Sequence, residues 1–489
     1  MIVLYNPPSS AQRKPVLPLS LLALGALLEG EHDYRIVDGN LEPPEALEQT
    51  LEETGANVLG VTVMPGPQLS HAVPLCRRLK ERFPHLSVVW GGYFPTQHYD
   101  ACLRSGYVDY VVRGHGEMTF LALADKLRRG EEPGPLPGLA WRDPLTGQIH
   151  SQPPAPPPHP DKLPELPYWR VEMPRYLRPT FMGRRTVADH SSYGCPFSCS
   201  FCAVVNMAGG RWLPRSAART AGTVARLVRE WGADAVEFYD NNFFCSEERT
   251  AEFAQRIRPL GIGWWAEGRI DTMLAFHERT WETLRQSGLR MAFLGAESGS
   301  DEVLARMNKG GGARAEKTLE IAARMRQYGI VPEMSFVLGN PPDPEGDIRT
   351  TLEFIRRLKR VNPDTEVILY FYTPVPVPGE LYEGAQAAGF RFPDTLEEWV
   401  SPAWQDFSQR RGPYLPEAEG ALRRQVQEFE RVLNAYYPTA TDVRLRGPRR
   451  WLLRAAGAWR YHLRLYRYPL ELRALNRLLR YQRPETSGF

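Results

Sequence analysis

Gly194-Cys195-Pro196-Phe197-Ser198-Cys199-Ser200-Phe201-Cys202 is the stretch around which the 489-residue chain is organised. It holds three of the six cysteines at C-x₃-C-x₂-C spacing. One short loop can therefore turn three thiolates toward a single inorganic centre. A structural zinc takes four protein ligands, and no fourth is offered nearby. Three ligands on a four-iron cluster leave one iron open, and an open position is where chemistry takes place. The competing assignment is a zinc knuckle that borrows a distant ligand.

Working outward, the chain repeats strand, loop and helix about six times from Thr186. Apolar runs at 186–189, 235–239, 264–267, 291–294, 333–338 and 367–372 predict strands. Helical stretches lie between them, for example at 223–231, 246–257, 278–287, 315–328 and 347–361. The pattern predicts an incomplete parallel barrel over residues 181–390, a partial (βα)6 form of the TIM type that is open on one side. In such barrels the working residues sit on the loops after the strands.

With Phe201 just before the last cysteine, the opening stretch resembles the radical S-adenosylmethionine (SAM) signature, and the later loops follow that superfamily's order. The resemblance implies that Cys195, Cys199 and Cys202 hold a 4Fe–4S cluster and that SAM chelates the free iron. After the second strand, Asp240, Asn241 and Asn242 stand where the family has a G-G-E-like contact to the SAM amino group, a polar trio replacing the glycines. Glu267 and Arg269 follow the third strand. Gly295-Ala296-Glu297-Ser298-Gly299 matches the G-x-E-S element, whose carboxylate faces the ribose or the amino-acid end of SAM. Gly339-Asn340-Pro341 is like the G-x-P turn near the adenine, and residues 373–379 are comparable to T-P-x-P-G-T. Each residue also has a plain alternative: Glu297 as a salt-bridge partner, Asn241 as a helix cap, Cys245 as a small buried apolar residue.

Residues 1–130 alternate strands (2–5, 34–37, 58–63, 87–90, 110–112) with helices (17–28, 45–53, 71–83, 117–128), which predicts a Rossmann-like parallel sheet. Polar residues and glycines cluster at the carboxyl ends of these strands, the edge where such sheets bind ligands. The set resembles the cobalamin-binding domain that precedes many radical SAM domains. That resemblance implies cobalamin contacts from Asn6, Asp38, Gly39, Thr62, Met64, Gly91, Gly92, Gly114 and Glu117. The D-x-H-x-x-G pattern is absent, since Gly39, Asn40 and Leu41 follow Asp38, so the implied cobalamin lacks a protein imidazole. His115 stands where the subgroup often has Glu. The alternative is a domain that has lost its ligand and only packs on the barrel.

Residues 131–180 predict a connector: a hairpin from 138–142 and 148–151, then a proline-rich surface strap. Residues 391–489 predict a helical cap, helical at 396–400 and 417–437, and an amphipathic tail. Residues 444–489 hold twelve of the 60 Lys and Arg but two of the 57 Asp and Glu, so the remainder is acidic despite a net +3. Arginine interleaved with Trp, Leu and Tyr suits an anionic membrane surface, a nucleic-acid backbone or plain packing. The lack of an RNA-binding module argues against nucleic acid. The chain starts in a strand, not a signal peptide, and three of its cysteines are scattered, so a cytoplasmic location is expected, either free or at the inner face of the membrane.

The resemblance further implies reductive cleavage of SAM, hydrogen abstraction from an unactivated carbon and, if cobalamin is bound, methyl transfer to that carbon. Partners would be a hydrophobic small molecule or lipid as substrate and an electron donor such as flavodoxin or ferredoxin. Rival functions are a non-methylating radical SAM cyclisation or C–C bond reaction, and a non-catalytic metal protein at a membrane surface.

Overall fold

The computed structural model describes residues 1–9, 15–154, 156–310, 312–414, 419–442, 445 and 447–479. Two sheets dominate, the first mostly and the second wholly parallel. The first has seven strands in the order β2-β1-β3-β4-β5-β6-β7, from β1 (Ile2–Asn6), β2 (Tyr34–Asp38), β3 (Val58–Thr62), β4 (Ser87–Gly91), β5 (Tyr110–Val112), β6 (Leu139–Arg142) and β7 (Ile149–Ser151). Strands β1 to β5 are parallel, and β1 is buried along its whole length, as expected of a strand covered by helices on both faces. Gly60 is required at the centre of β3: a Cβ there would lie 2.9 Å from a Leu4 methyl carbon and 3.1 Å from the Phe120 ring.

The second sheet has six parallel strands in the order β15-β14-β13-β12-β11-β8. They are β8 (Thr186–Asp189), β11 (Ala235–Phe238), β12 (Gly263–Gly268), β13 (Leu289–Glu297), β14 (Val331–Leu338) and β15 (Glu366–Phe371). Sequential order with open edges at β8 and β15 is the expected partial barrel. A short antiparallel pair, β9 (Ser192–Gly194) and β10 (Trp212–Pro214), brackets the cysteine loop. Along the barrel strands, side chains alternate: Val236, Phe238, Trp264, Ala266, Met334 and Phe336 pack beneath the helical layer. The intervening Glu237, Trp265, Glu267, Glu333 and Ser335 therefore face the lumen.

The structure differs from expectation in three places. The hairpin β6–β7 is not part of a free connector: β6 pairs antiparallel with β5 and extends the first sheet. The strap after it is mostly exposed among the described residues of 152–165, as expected, but is then tied into the core. Single turns at Pro160–Lys162, Tyr168–Arg170 and Met173–Tyr176 bury Tyr168, Met173 and Tyr176 in the barrel core, because this apolar set outweighs the prolines' preference for exposed chain. The C-terminal helices Glu419–Tyr436, Pro448–Leu463 and Leu470–Leu479 do not cap the strand ends. They pack on the outer barrel helix Pro344–Val361, where Arg356 donates to the Tyr461 carbonyl at 2.8 Å. Thr441 Oγ1 donates to Glu366 at 2.7 Å, at the start of β15 and away from the strand ends. Instead it is the aromatic segment around Phe390, Trp399, Phe407 and Tyr414 that packs with the first domain's Phe94, Cys102 and Tyr107. The expected helix start at 417–418 lies outside the described residues.

Candidate active site

The cysteine loop begins at Gly194, whose φ of 74° is open chiefly to glycine. A Cβ there would sit 2.3 Å from the Arg211 carbonyl oxygen and 2.5 Å from Ala208 Cβ. The loop is pinned from outside: Ser200 N donates to the Met307 carbonyl at 3.0 Å, and Asn308 Nδ2 donates to that of Ser198 at 3.0 Å. The three cysteines are near enough for their charges to act on one another. Burial pushes the Cys202 thiol up to about 12 and also raises Cys199, against the pull of Arg269 and Lys309. Thiols held this way ionise when a cation takes the proton's place. Among the described residues, no three His, Cys, Asp or Glu side chains gather as ligands of a single metal ion.

Strand-end residues converge on the sulfurs. Asn242 Nδ2 lies 3.8 Å from Cys195 Sγ, and Arg269 Nη1 donates to Cys199 Sγ at 3.5 Å. The Arg269 guanidinium lies 3.7 Å from the Phe197 ring centroid, pairs with Asp271 at 2.7 Å and donates to the Lys309 carbonyl. This donor set suits a thiolate-bound cluster, whose sulfurs are stabilised by hydrogen bonds. Asp240 takes another position: its carboxylate accepts from Ser191 N at 2.9 Å, from Ser191 Oγ at 2.8 Å and from Ser192 Oγ. These bonds tie Asp240 to the residues just before the cysteine loop. Asn241 is exposed. Cys245 donates to the Asn242 carbonyl at 3.4 Å.

Past β13 the backbone turns sharply. Glu297 has φ 64°, left-handed for a non-glycine residue, and this coincides with a register break against β14. Such strain persists where the surroundings over-determine it. Lys309 Nζ donates to Glu297 Oε1 at 2.9 Å and to the Gly295 carbonyl, and Gly295 has no room for a Cβ beside the Glu297 carboxylate. Ser298 Oγ donates to Asp347 Oδ1 at 3.2 Å. Asp347 Oδ2 accepts from Gly339 N at 2.9 Å, Asn340 N at 3.0 Å and Asn340 Nδ2 at 2.9 Å. One carboxylate thus ties the ends of β13 and β14. Asn242 Oδ1 and Asn340 Oδ1 are buried without a hydrogen-bond partner among the described residues, open acceptors of the kind a bound ligand satisfies.

Below these loops the lumen is aromatic and acidic. Tyr239 and Phe293 flank Trp265, with ring centroids 5.4 and 6.3 Å from it. Burial, with a smaller push from Asp240, raises the Glu267 carboxyl to about 8. Burial also raises Glu333, which accepts from Trp265 Nε1 at 2.9 Å.

In the first domain, Asn6 Nδ2 donates to Asp38 Oδ1 at 2.9 Å, Gln68 Nε2 donates to Asn6 Oδ1 at 2.8 Å, and Tyr176 OH donates to Asp38 Oδ2 at 2.8 Å. Thr62 Oγ1 accepts from Ser20 Oγ at 3.4 Å, and Met64 N donates to Gln68 Oε1 at 2.9 Å. Gly39 and Gly114 are filled by the chain itself, Gly39 by Pro8 and Tyr5, Gly114 by Pro154 and the Met207 carbonyl. Gly91 has only the Val112 carbonyl within reach of a Cβ, at 3.6 Å, which leaves room there for a ligand; Gly92, at φ 99°, makes the turn that follows. Glu117 is buried, with its carboxylate close enough to Tyr193 of β9 to add to burial in raising that phenol. Asn206, just past the cysteine loop, donates to Gln97 at 2.7 Å and to the Pro376 carbonyl at 3.1 Å. The segment after β4 therefore meets the segment just past the cysteine loop.

Lys309, Asp347, Gln97 and the luminal Trp265 and Glu333 were not singled out by the sequence. Lys309 had a signal, a lone lysine in an N-K-G-G turn. Asp347 is indistinguishable in sequence from an acid of a helix's first turn.

The profile of the B12 binding domain matches residues 13–124, and that of the radical SAM superfamily matches residues 190–355. The chain is 27% identical over 368 residues to an uncharacterized methyltransferase of Pyrococcus horikoshii, covering 73% of this chain and 78% of that one. It is 26% identical over 387 residues to the anaerobic magnesium-protoporphyrin IX monomethyl ester cyclase of Synechocystis, covering 76% and 74%. Its fold superposes with a TM-score of 0.64 on the radical SAM methyltransferase TsrM of Kitasatospora setae, at 20% identity and 80% and 79% coverage. The chain belongs to the radical SAM superfamily, in the group that carries a B12-binding domain ahead of the radical SAM domain.

Proposed function

We propose that the chain is a cobalamin-dependent methyltransferase acting on an unactivated carbon of a hydrophobic small molecule or lipid. One observation carries the proposal. Strand-end side chains reach the sulfurs of Cys195 and Cys199, while Asn206, just past the same loop, is hydrogen-bonded to Gln97 on the segment that follows β4 of the first sheet. The relative from Pyrococcus horikoshii, named a methyltransferase, supports it.

Bound here, a 4Fe–4S cluster, SAM and cobalamin would supply reductive SAM cleavage and a transferable methyl group. Cys195, Cys199 and Cys202 would hold the cluster. Asn242 and Arg269 donate toward their sulfurs and hold negative charge there. Glu297, aimed by Lys309, with Ser298, Gly295, Gly339 and Asn340 would form the SAM cradle, and Asp240 positions the loop. Asn6, Asp38, Thr62, Met64, Gly91, Gly92 and Glu117 would line the cobalamin side. The aromatic lumen would orient an apolar substrate and exclude water. A carboxyl raised to about 8, as at Glu267, is neutral near pH 7 and can donate a hydrogen bond to the substrate. A small reductant such as flavodoxin or ferredoxin would deliver the electron. We assign residues 1–130 with the β6–β7 hairpin to the cobalamin unit, 181–390 to the barrel and 391–489 to the segment that joins and buttresses them.

The test is product analysis with reduced, reconstituted protein. Formation of S-adenosylhomocysteine together with 5′-deoxyadenosine supports methyl transfer. The nucleoside alone would move the assignment to a cyclisation, a reaction the cyclase relative's name favours.

A further inference from the structure

The last two described helices each use one face for folding and leave the opposite face apolar. In Pro448–Leu463 the inward stripe is Leu453, Gly457, Arg460 and Tyr461. Gly457 packs so tightly on the helix Glu419–Tyr436 that a Cβ would meet Tyr436 N at 2.8 Å. An ordinary surface helix would turn polar side chains outward from such a stripe. Here Trp451, Ala455 and Trp459 follow one another at i, i+4 and i+8 on the outer side, with Leu452 and Leu463 beside them. Trp451 is 70% exposed and Leu463 65%. The helix Leu470–Leu479 repeats the plan: Leu472 is buried, while Leu470, Ala474 and Leu478 form an exposed ridge at the same spacing. Of the twelve large hydrophobics exposed among the described residues, eight fall between Trp451 and Leu478. Their concentration there marks a face built for contact.

Charge identifies the partner. Glu471, the one acid between 448 and 479, is held by the buried Arg460. Arg464 and Arg473 pair with Glu353 and Glu428, each at 3.3 Å. Among the described residues, Arg449, Arg467 and Arg477 are exposed with no carboxylate partner. We propose that these two helices form a docking face for an anionic lipid bilayer, the Trp and Leu ridges entering the headgroup–acyl boundary and the arginines meeting lipid phosphates. Tryptophan and tyrosine favour that boundary, and apolar ridges flanked by arginine suit it better than a nucleic-acid backbone. The proposal is independent of the reaction, since the face lies on the outer barrel helix and not at the strand ends.

The full-length protein is sedimented with vesicles of phosphatidylcholine alone and of phosphatidylcholine and phosphatidylglycerol in equal parts, beside the variant W451S/W459S/L463S. These side chains are exposed, so the variant keeps its fold, checked by circular dichroism and iron content. The expected result is binding to the anionic vesicles, at least about tenfold weaker both for the triple variant and on the neutral vesicles. Equal partition of the two proteins would overturn the proposal. So would failure of the wild type to bind, whether light scattering then shows a dimer that the variant loses or the protein binds a single-stranded oligonucleotide instead.

Discussion

Gly194→Ala and Gly209→Ala separate the geometry of the cysteine loop from the general cost of a left-handed residue. Both glycines are left-handed, at φ 74° and 58°. Placing alanine in that region costs roughly 1–2 kcal/mol at either site. Around Gly209 nothing lies within 4 Å of a built Cβ, so its cost ends there. At Gly194 the new carbon would lie 2.3 Å from a carbonyl oxygen and 2.5 Å from Ala208 Cβ, both on the segment leading into β10. The clash cannot be relieved by rotating a side chain, so the β9–β10 pair must separate, adding about 1–3 kcal/mol as overpacking does. Because Cys195 is the next residue, that movement displaces a ligand. The assay is urea unfolding of the apo protein in parallel with iron content after anaerobic reconstitution. Gly209→Ala should lose about 1–2 kcal/mol and keep its iron; Gly194→Ala should lose about 2–5 kcal/mol and most of its iron. Equal effects on both measurements would refute the reasoning.

Replacing Asp347 by Ala leaves three N–H groups without their acceptor and removes one of the Ser298 hydroxyl's two side-chain partners, and should cost about 3–5 kcal/mol and weaken SAM binding in equilibrium dialysis. Unchanged SAM affinity would show that the β13–β14 tie does not shape the cradle. Arg269→Leu removes a cation and a donor from Cys199, so the cluster's reduction potential, followed by electron paramagnetic resonance, should fall on the order of tens of millivolts. A rise would contradict the assigned contact. Glu267 titrates near 8 in the folded chain against the usual 4.5, so the native state keeps a proton that the unfolded state has lost. Its contribution to stability is full below about 4.5 and is lost as pH rises to about 8. Over that window its slope approaches about 1.4 kcal/mol per pH unit, which Glu267→Gln should remove from the apo protein's pH–stability curve. Curves that run parallel throughout would place Glu267 in contact with water.

What the sequence revealed follows from how local each signal is. The six barrel strands lie within a residue or two of the apolar runs, except that β13 continues to Glu297, because the face of each strand that packs under the helices must be apolar. The cysteine loop was legible because cluster ligation requires a fixed local spacing. Tyr176 was hidden for the opposite reason. Its partner Asp38 is 138 residues away, and a proline-rich neighbourhood reads as exposed until the fold presents a core to it. Asp240 was legible as a strand-end acid, but its partners Ser191 and Ser192 come from another segment, and motif position does not reveal them. The luminal Glu267, Trp265 and Glu333 meet across strands, and only the sheet register brings them together. The outward ridges of the tail were visible as composition, but which face they occupy depends on the packing of Gly457 and Leu472.

The most direct test is an absorption spectrum with iron, cobalt and zinc analysis of the anaerobically reconstituted protein, compared with a variant in which Cys195, Cys199 and Cys202 are all alanine. The wild type should be brown with about four irons per chain and should take up cobalamin; the variant should lose the iron and keep the corrin bands. A colourless wild type, with zinc or no metal at those sulfurs, would contradict the account.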